Sequence, residues 1–176
     1  MITGKRSSWF RRVRAKAAPA PAALVLLLAA TPGEAQVRVE GAGRGRPSVF
    51  AEVVPGSLVR HADAVSLRIL VEVPRQHHGY LDKGDDGFLI PFAFSFPDFA
   101  GTGVRVEMTV APPGARDDQV RAQVLRGRGE FAFRFAPAPD PGSQATALLR
   151  YQICDDVTQR CYPPTRLTIP IVLSPP

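Results

Sequence analysis

The sequence predicts an all-β protein, a sandwich of about seven to eight strands. Apolar and polar residues alternate in one segment after another, and a period of two is typical of strands with one buried face. Turn-forming clusters of Pro, Gly and Asp separate the segments, at residues 85–87, 111–114 and 136–142. No helical period of useful length follows the first 35 residues. Short strands joined by such turns indicate a β-sandwich.

The chain begins with a predicted secretory signal peptide, residues 1–35. Basic residues precede a short apolar run at 22–30, and small residues lead to a cleavage site after Ala35. That run is shorter than the roughly 20 residues needed to cross a bilayer. An uncleaved signal anchor is the alternative. We therefore expect an exported protein, located in a bacterial periplasm.

Most of the net positive charge of the whole chain comes from this segment. Six of the 22 basic residues and one of the 16 acidic residues fall in residues 1–35, which leaves 16 basic against 15 acidic residues and a net charge of +1. The remaining chain has no basic stripe with interleaved aromatic residues, so the sequence argues against nucleic-acid binding.

The exported part divides into a flexible N-terminal segment, residues 36–47, and a domain, residues 48–176. A short strand is predicted at 37–40. The clearest alternating patterns are 65–73, 88–96, 104–110, 131–135, 147–153 and 167–173, with weaker candidates at 52–60 and 119–125. Pro91 and Pro170 interrupt two of them, so those strands are expected at sheet edges or bulges. The phenylalanines of 88–96 are expected to pack in the core rather than to form a binding face.

The two cysteines are the chemically distinctive feature. Cys154 ends one predicted strand and Cys161 follows after six residues, just before the next strand, so the pair spans the mouth of a hairpin. Closing this loop stabilises the fold by only about 2.5 kcal/mol. A disulfide at a surface turn is also accessible to an attacking thiolate. The residues alone leave two hypotheses open, a structural disulfide and a redox-active one.

The neighbours of the cysteines differ in charge. Asp155 and Asp156 disfavour a thiolate at Cys154, whereas Arg160 favours one at Cys161. If the pair exchanges, we expect Cys161 to attack the partner and Cys154 to resolve the mixed disulfide.

The cysteine segment resembles a known family. Its pattern is Tyr151-Gln152, then Cys154 with two acidic residues, then Cys161-Tyr162-Pro163-Pro164, and a weaker similarity lies upstream at Gly79-Tyr80 and 88–91. This pattern is similar to the N-terminal periplasmic domain of the DsbD thiol:disulfide interchange proteins. The resemblance covers about residues 48–173, and the cysteine spacing is longer than that of the family.

The resemblance implies an immunoglobulin-like sandwich whose cysteine pair receives electrons from a membrane domain. It passes them to periplasmic thioredoxin-like proteins, including disulfide isomerases and cytochrome c maturation factors, without a cofactor. It also implies that Cys161 attacks partners. Because no multi-helix membrane segment is present in this sequence, we expect a free-standing version served by a separate membrane electron donor.

Other candidate residues lie around Tyr80. The resemblance places the loop at 75–80 near the cysteines, with Tyr80 or Phe88 as a cover and Tyr162 beside the second sulfur. His77 and His78 could ligate copper or zinc, but adjacent residues of a strand point to opposite faces, so a solvated loop is expected and no metal. The alternatives to exchange are a non-catalytic protein-binding module with a structural disulfide and a metal-delivery protein.

Overall fold

The computed structural model of the protein describes residues 37–41 and 46–173. The predicted signal peptide lies outside these residues. The described chain contains thirteen strands and one 3₁₀ turn at Pro97–Phe99. The strands are β1 (Val39–Gly41), β2 (Val49–Val53), β3 (Val59–Arg60), β4 (Val65–Glu72), β5 (His77–Tyr80), β6 (Ala93–Ser95), β7 (Arg105–Val110), β8 (Ala115–Asp117), β9 (Ala122–Leu125), β10 (Arg128–Ala136), β11 (Ser143–Tyr151), β12 (Ile153–Asp155) and β13 (Thr165–Leu173).

The strands form three antiparallel sheets. The largest has the order β1-β2-β4-β10-β7, with β3 paired to β4. The second has the order β13-β11-β6 and the third the order β12-β5-β9-β8. The all-β prediction is confirmed, but the strands outnumber the seven to eight expected, because strands of two to four residues are too short to show a period of two.

One core lies between the first sheet and the second. Phe131 and Phe133 of β10 and Leu67 of β4 are buried against Leu149 of β11 and Ile169 of β13. Every second residue of these strands faces this core. Fully burying one such side chain stabilises the fold by about 1.5–3 kcal/mol. The two sheets therefore form a β-sandwich.

The predicted strand at 88–96 is wrong in its first half. Only Ala93–Ser95 forms a strand, and Phe88 is 85% exposed instead of packing in the core. The turn before it includes Gly87 at φ 73°, and Pro91 has no N–H to donate to a ladder. The alternating pattern in the sequence begins at position 88, but the backbone forms a strand only from Ala93.

The predicted buried face of 104–110 is also only partly correct. Met108 and Val110 are 50% and 55% exposed on β7. This strand is the edge of its sheet, and a bulge in its pairing with β10 sets Met108 opposite Phe133 but Val110 opposite Ala132. The extra residue turns Val110 to the outer face of the sheet, whereas Met108 stays on the face of Phe133 and is half-exposed because β7 is the edge strand. Pro170, by contrast, lies on β13 at the edge of the second sheet, as predicted.

The third sheet positions the cysteines. Its strand β5 lies between β12 and β9, where the sequence suggested a solvated loop. That expectation is wrong, because His78, Gly79 and Tyr80 are buried. The chain turns into β5 at Gln76, whose φ is 61°. No helix in the described ranges has both the length and the apolar character needed to span a membrane.

Candidate functional site

Cys154 and Cys161 form a disulfide across a hairpin. Cys154 lies on β12, and Cys161 pairs with it in an isolated antiparallel bridge with a Cα–Cα distance of 3.9 Å. The N–H of Asp155 donates to the carbonyl of Arg160, and the N–H of Tyr162 donates to that of Ile153, both at 2.9 Å. Bonds on either side place the cysteines at a non-hydrogen-bonded pair, where side chains approach most closely. The backbone thus holds the two sulfur positions together.

The hairpin tip is shaped by Asp155. Its Oδ1 accepts hydrogen bonds from the N–H groups of Val157 and Thr158, each at 2.8 Å. The bonds from Thr158 and Val157 hold the pKa of Asp155 below its usual value. Gln159 takes a left-handed conformation with φ 55°, and its side-chain amide donates to the carbonyl of Asp156. Asp155 therefore fixes the turn that returns the chain to Cys161.

The two sulfurs differ in access. Cys154 is 2% exposed, whereas Cys161 is exposed beside the exposed Arg160. Cys161 lines an open depression of about 410 Å³ together with Asp155, Thr158, Arg160, Tyr162 and Pro163. A partner can therefore reach Cys161 from solvent, while Cys154 is shielded.

Tyr80 lies against both sulfurs. Its hydroxyl donates to Cys154 Sγ at 3.1 Å and lies 3.5 Å from Cys161 Sγ. Burial raises the pKa of Tyr80, and the negative charge of Asp117 raises it further. The phenol consequently stays protonated and remains a hydrogen-bond donor. The sequence suggested Tyr80 as a cover; it forms the buried floor of the disulfide.

The position of Tyr80 depends on Gly79 and Phe92. The Phe92 N–H donates to the Tyr80 carbonyl at 2.8 Å, and Tyr80 also forms a bridge with Pro91. A Cβ at Gly79 would lie 2.4 Å from the Phe92 ring. Only glycine permits this close approach.

A charged network that the sequence did not predict lies behind the hairpin. His78 Nδ1 and Asp156 Oδ1 are 2.7 Å apart, and Arg126 binds both Asp156 and Asp117. Burial raises the pKa of Asp156, but hydrogen bonds from Arg126 and His78 outweigh it, so the pKa is lowered. His78 and Asp156 are separated by 78 positions, and no local pattern links the members of this network.

The other predicted site residues occupy different positions. The half-buried Tyr162 follows Cys161 directly, and its ring centroid lies 5.9 Å from that of His77. Phe88 stands exposed, while its neighbour Leu89 packs on the buried cluster of Tyr80 and Cys154. Leu89 was not predicted from the sequence, because the resemblance pointed to Phe88 as the cover and the period of two set Phe88, not Leu89, on the buried face.

The described residues around the cysteines do not form a metal site. Within residues 37–41 and 46–173, no three or more His, Cys, Asp and Glu side chains are arranged to hold an ion. His78 binds Asp156, and His77 Nε2 lies 3.8 Å from Asp155 Oδ2.

No family model and no curated protein sequence matches this chain. Among solved structures, it is similar to the crystal structure of the Neisseria meningitidis DsbD N-terminal domain in the reduced form, at 15% sequence identity and a TM-score of 0.40. The match covers 81% of this chain and 88% of that chain. This is the kind of domain that the cysteine segment resembles. A likeness at this level assigns no residue correspondence, so the function is argued from the hairpin itself.

Proposed function

We propose that this protein carries out thiol–disulfide exchange through Cys154 and Cys161. It passes electrons between a separate membrane reductase and thioredoxin-like proteins in the periplasm. The observation that carries this proposal is the asymmetry of the pair, an exposed sulfur bonded to a buried one. Exchange needs one sulfur that a partner can reach and a second that resolves the mixed disulfide.

The order of events follows from access. To reduce this protein, a partner thiolate attacks Cys161 Sγ, the disulfide breaks, and Cys154 leaves as a thiolate beside the Tyr80 hydroxyl. The second thiol of the partner then attacks the mixed disulfide and releases Cys161. In the opposite direction, the Cys161 thiolate attacks the partner disulfide and Cys154 resolves the intermediate. Arg160, next to Cys161, favours its thiolate.

The decisive experiment is the reduction potential of the pair in the folded mature protein. The protein is equilibrated in graded dithiol buffers, and free thiols are trapped by alkylation and counted by mass. A value between about −180 and −270 mV lies where exchange proteins work and would support the proposal. A value below about −300 mV, or no reduction without unfolding, would contradict it.

A non-catalytic binding module with a structural disulfide is the second candidate. The burial of Cys154 against Tyr80, Ala122 and Val124 favours it, because a buried sulfur resists exchange. In that case, replacing both cysteines with serine lowers the unfolding free energy by roughly 2.5 kcal/mol and alters no exchange reaction. Partner reduction by the native protein, absent from the double variant, excludes this candidate.

The proposed function requires export of the chain, and it places the exchange site in one folded domain. We infer cleavage after Ala35 and an immunoglobulin-like sandwich over residues 48–176. Within the preceding segment, residues 36–47, which was expected to be flexible, Val39–Gly41 forms β1 and pairs with β2. Expression of the full chain in a Gram-negative host, followed by N-terminal sequencing of the periplasmic fraction, tests the first point. A chain that begins at Gln36 supports export by a signal peptide, and an uncleaved chain in the membrane fraction contradicts it.

A further inference from the structure

His78 is a buried titratable side chain to which the exchange mechanism assigns no role. It is 3% exposed, and its Nδ1 lies 2.7 Å from Asp156 Oδ1. Its Nε2 is buried and has no hydrogen-bond partner among the residues that the structure describes. A buried polar atom without a hydrogen-bond partner destabilises the fold, so a function for this nitrogen would explain why it is retained.

The imidazole shares one face of the sheet with the disulfide. His78 on β5 is the direct cross-strand partner of Cys154 on β12, and residues paired in this way project to the same side. Tyr80, two residues further along β5, projects to that side as well. The His78 and Tyr80 rings meet edge to face, with centroids 5.3 Å apart. His78 therefore stands beside the tyrosine that contacts both sulfurs.

The charged groups around His78 leave it facing a net negative charge. Asp156 approaches from the hairpin, Arg126 from the turn after β9, and Asp117 from β8, where its charge also acts on His78. Two carboxylates against one guanidinium leave one negative charge. Tyr80, on the same strand as His78, is neutral. This cluster is the same in both redox states, and a thiolate at Cys154 would add a second negative charge on the same face of the sheet.

We propose that His78 takes up a proton when the Cys154–Cys161 bond is reduced, and that the imidazolium then offsets the charge of a thiolate at Cys154. This inference rests on the proposed exchange function. Asp156 by itself would disfavour a thiolate there, but its charge is shared with Arg126 and His78. His78 thus acts through its charge on the Cys154 thiolate and does not itself attack a sulfur.

Electrons and protons balance in this step. A partner dithiol gives up two electrons and two protons and becomes a disulfide. Its first thiol releases a proton to solvent and attacks Cys161 as a thiolate, Cys154 leaves as a thiolate, and His78 Nε2 takes up one proton from solvent. The second thiol completes the partner disulfide, and Cys161 leaves with the second proton. His78 Nδ1–H donates to Asp156 throughout.

The test is an NMR titration of the imidazoles in the folded mature protein, oxidised and then reduced with a dithiol. The chain has three histidines, and signals are assigned with His61→Gln, His77→Gln and His78→Gln variants. On reduction, the titration midpoint of His78 should rise by about one pH unit, a tenfold gain in proton affinity. His77, the matched control on the opposite face of β5, should shift much less. Equal His78 midpoints in the two redox states would overturn the proposal.

A second measurement uses the thiolate itself. In a Cys161→Ser background, where Cys154 is the remaining thiol, thiolate absorbance against pH should show a midpoint raised by about one unit in His78→Gln and unchanged in His77→Gln. If His78→Gln does not fold, the native protein still gives the test, because His61→Gln and His77→Gln assign the His78 signal by elimination and the comparison is between its two redox states. An unchanged thiolate midpoint in folded His78→Gln contradicts the inference.

The two proposals fail in different ways. If a dithiol reduces the pair in the folded protein but His78 titrates alike in both states, the inference is wrong and exchange stands. If the pair is reduced only on unfolding, the exchange function is wrong and the inference falls with it.

Discussion

The Tyr80 hydroxyl lies 3.1 Å from Cys154 Sγ, on the buried side of the disulfide. Cys154 is the sulfur that leaves when a partner attacks the exposed Cys161. A neutral donor aimed at a leaving sulfur stabilises it more as a thiolate than as half of a disulfide, because hydrogen bonds to charged acceptors are stronger. This relationship gives the floor of the site a function in addition to packing.

Replacing Tyr80 with phenylalanine should slow reduction of the disulfide. The difference between a neutral and a charged hydrogen bond is about 1 kcal/mol, so the second-order rate constant with a small dithiol should fall roughly five- to tenfold. Stopped-flow reduction of the folded variant measures this. Tyr162→Phe is the matched control, since Tyr162 lies beside Cys161, but among the hydroxyl groups of the described residues it is that of Tyr80 that hydrogen-bonds the sulfurs. Equal rates for native protein and Tyr80→Phe would remove the phenol from the mechanism.

The loss of unfolding free energy at low pH should depend in part on Asp156. Its pKa is lowered in the folded protein, so the stability it contributes is present above the unfolded value near 4 and is lost as the pH falls through the lower folded value. Because the side chain is partly exposed, we expect no more than about 1 kcal/mol from this linkage.

Urea unfolding between pH 2 and 7 measures this contribution. Asp156→Asn should be less stable than the native protein at pH 7 and should approach it at the acid end. Asp86→Asn, in the exposed turn at 85–87, serves as the control and should leave the pH profile unchanged. A constant difference between Asp156→Asn and native protein across the range would contradict the linkage.

Gly79→Ala should destabilise the fold by about 1–3 kcal/mol. The added Cβ would lie 2.4 and 2.5 Å from two atoms of the Phe92 ring, so either the ring or β5 must move. The free energy of unfolding from urea titration gives the cost. Phe92→Leu should make room, and the double variant should be more stable than the sum of the single changes implies. Strict additivity would show that the two residues do not collide.

The long strands were predictable and the short ones were not. In β4, β10 and β13, every second residue is buried, and this burial produces the alternation seen in the sequence. Strand β5 reads His-His-Gly-Tyr and has no such alternation. Its burial depends on a tertiary pair, His78 with Asp156, separated by 78 positions. Local periodicity carries no information on such a pair.

The site was predictable only where it is local. The cysteine pairing follows from two strands joined by a short loop, and the structure confirms the bridge. Phe88 was expected near the sulfurs from the family resemblance, and in the core because it continues the alternation of Phe92 and Phe94. The turn at Gly87 breaks that alternation and leaves Phe88 exposed, so Leu89 takes the packing position. Backbone conformation at one glycine thus decides which side chain approaches the cysteines.

The two thiols of the reduced, folded protein should differ in reactivity. Cys154 is 2% exposed and Cys161 is exposed, so iodoacetamide should modify Cys161 at least about tenfold faster. Peptide mapping by mass spectrometry over a time course measures both rates, and the ratio should approach one in denaturant. The same asymmetry predicts that Cys154→Ser accumulates a mixed disulfide with a thioredoxin-like partner and that Cys161→Ser does not. Faster alkylation of Cys154 would reverse the assignment, because the attacking sulfur must be the one that a partner can reach.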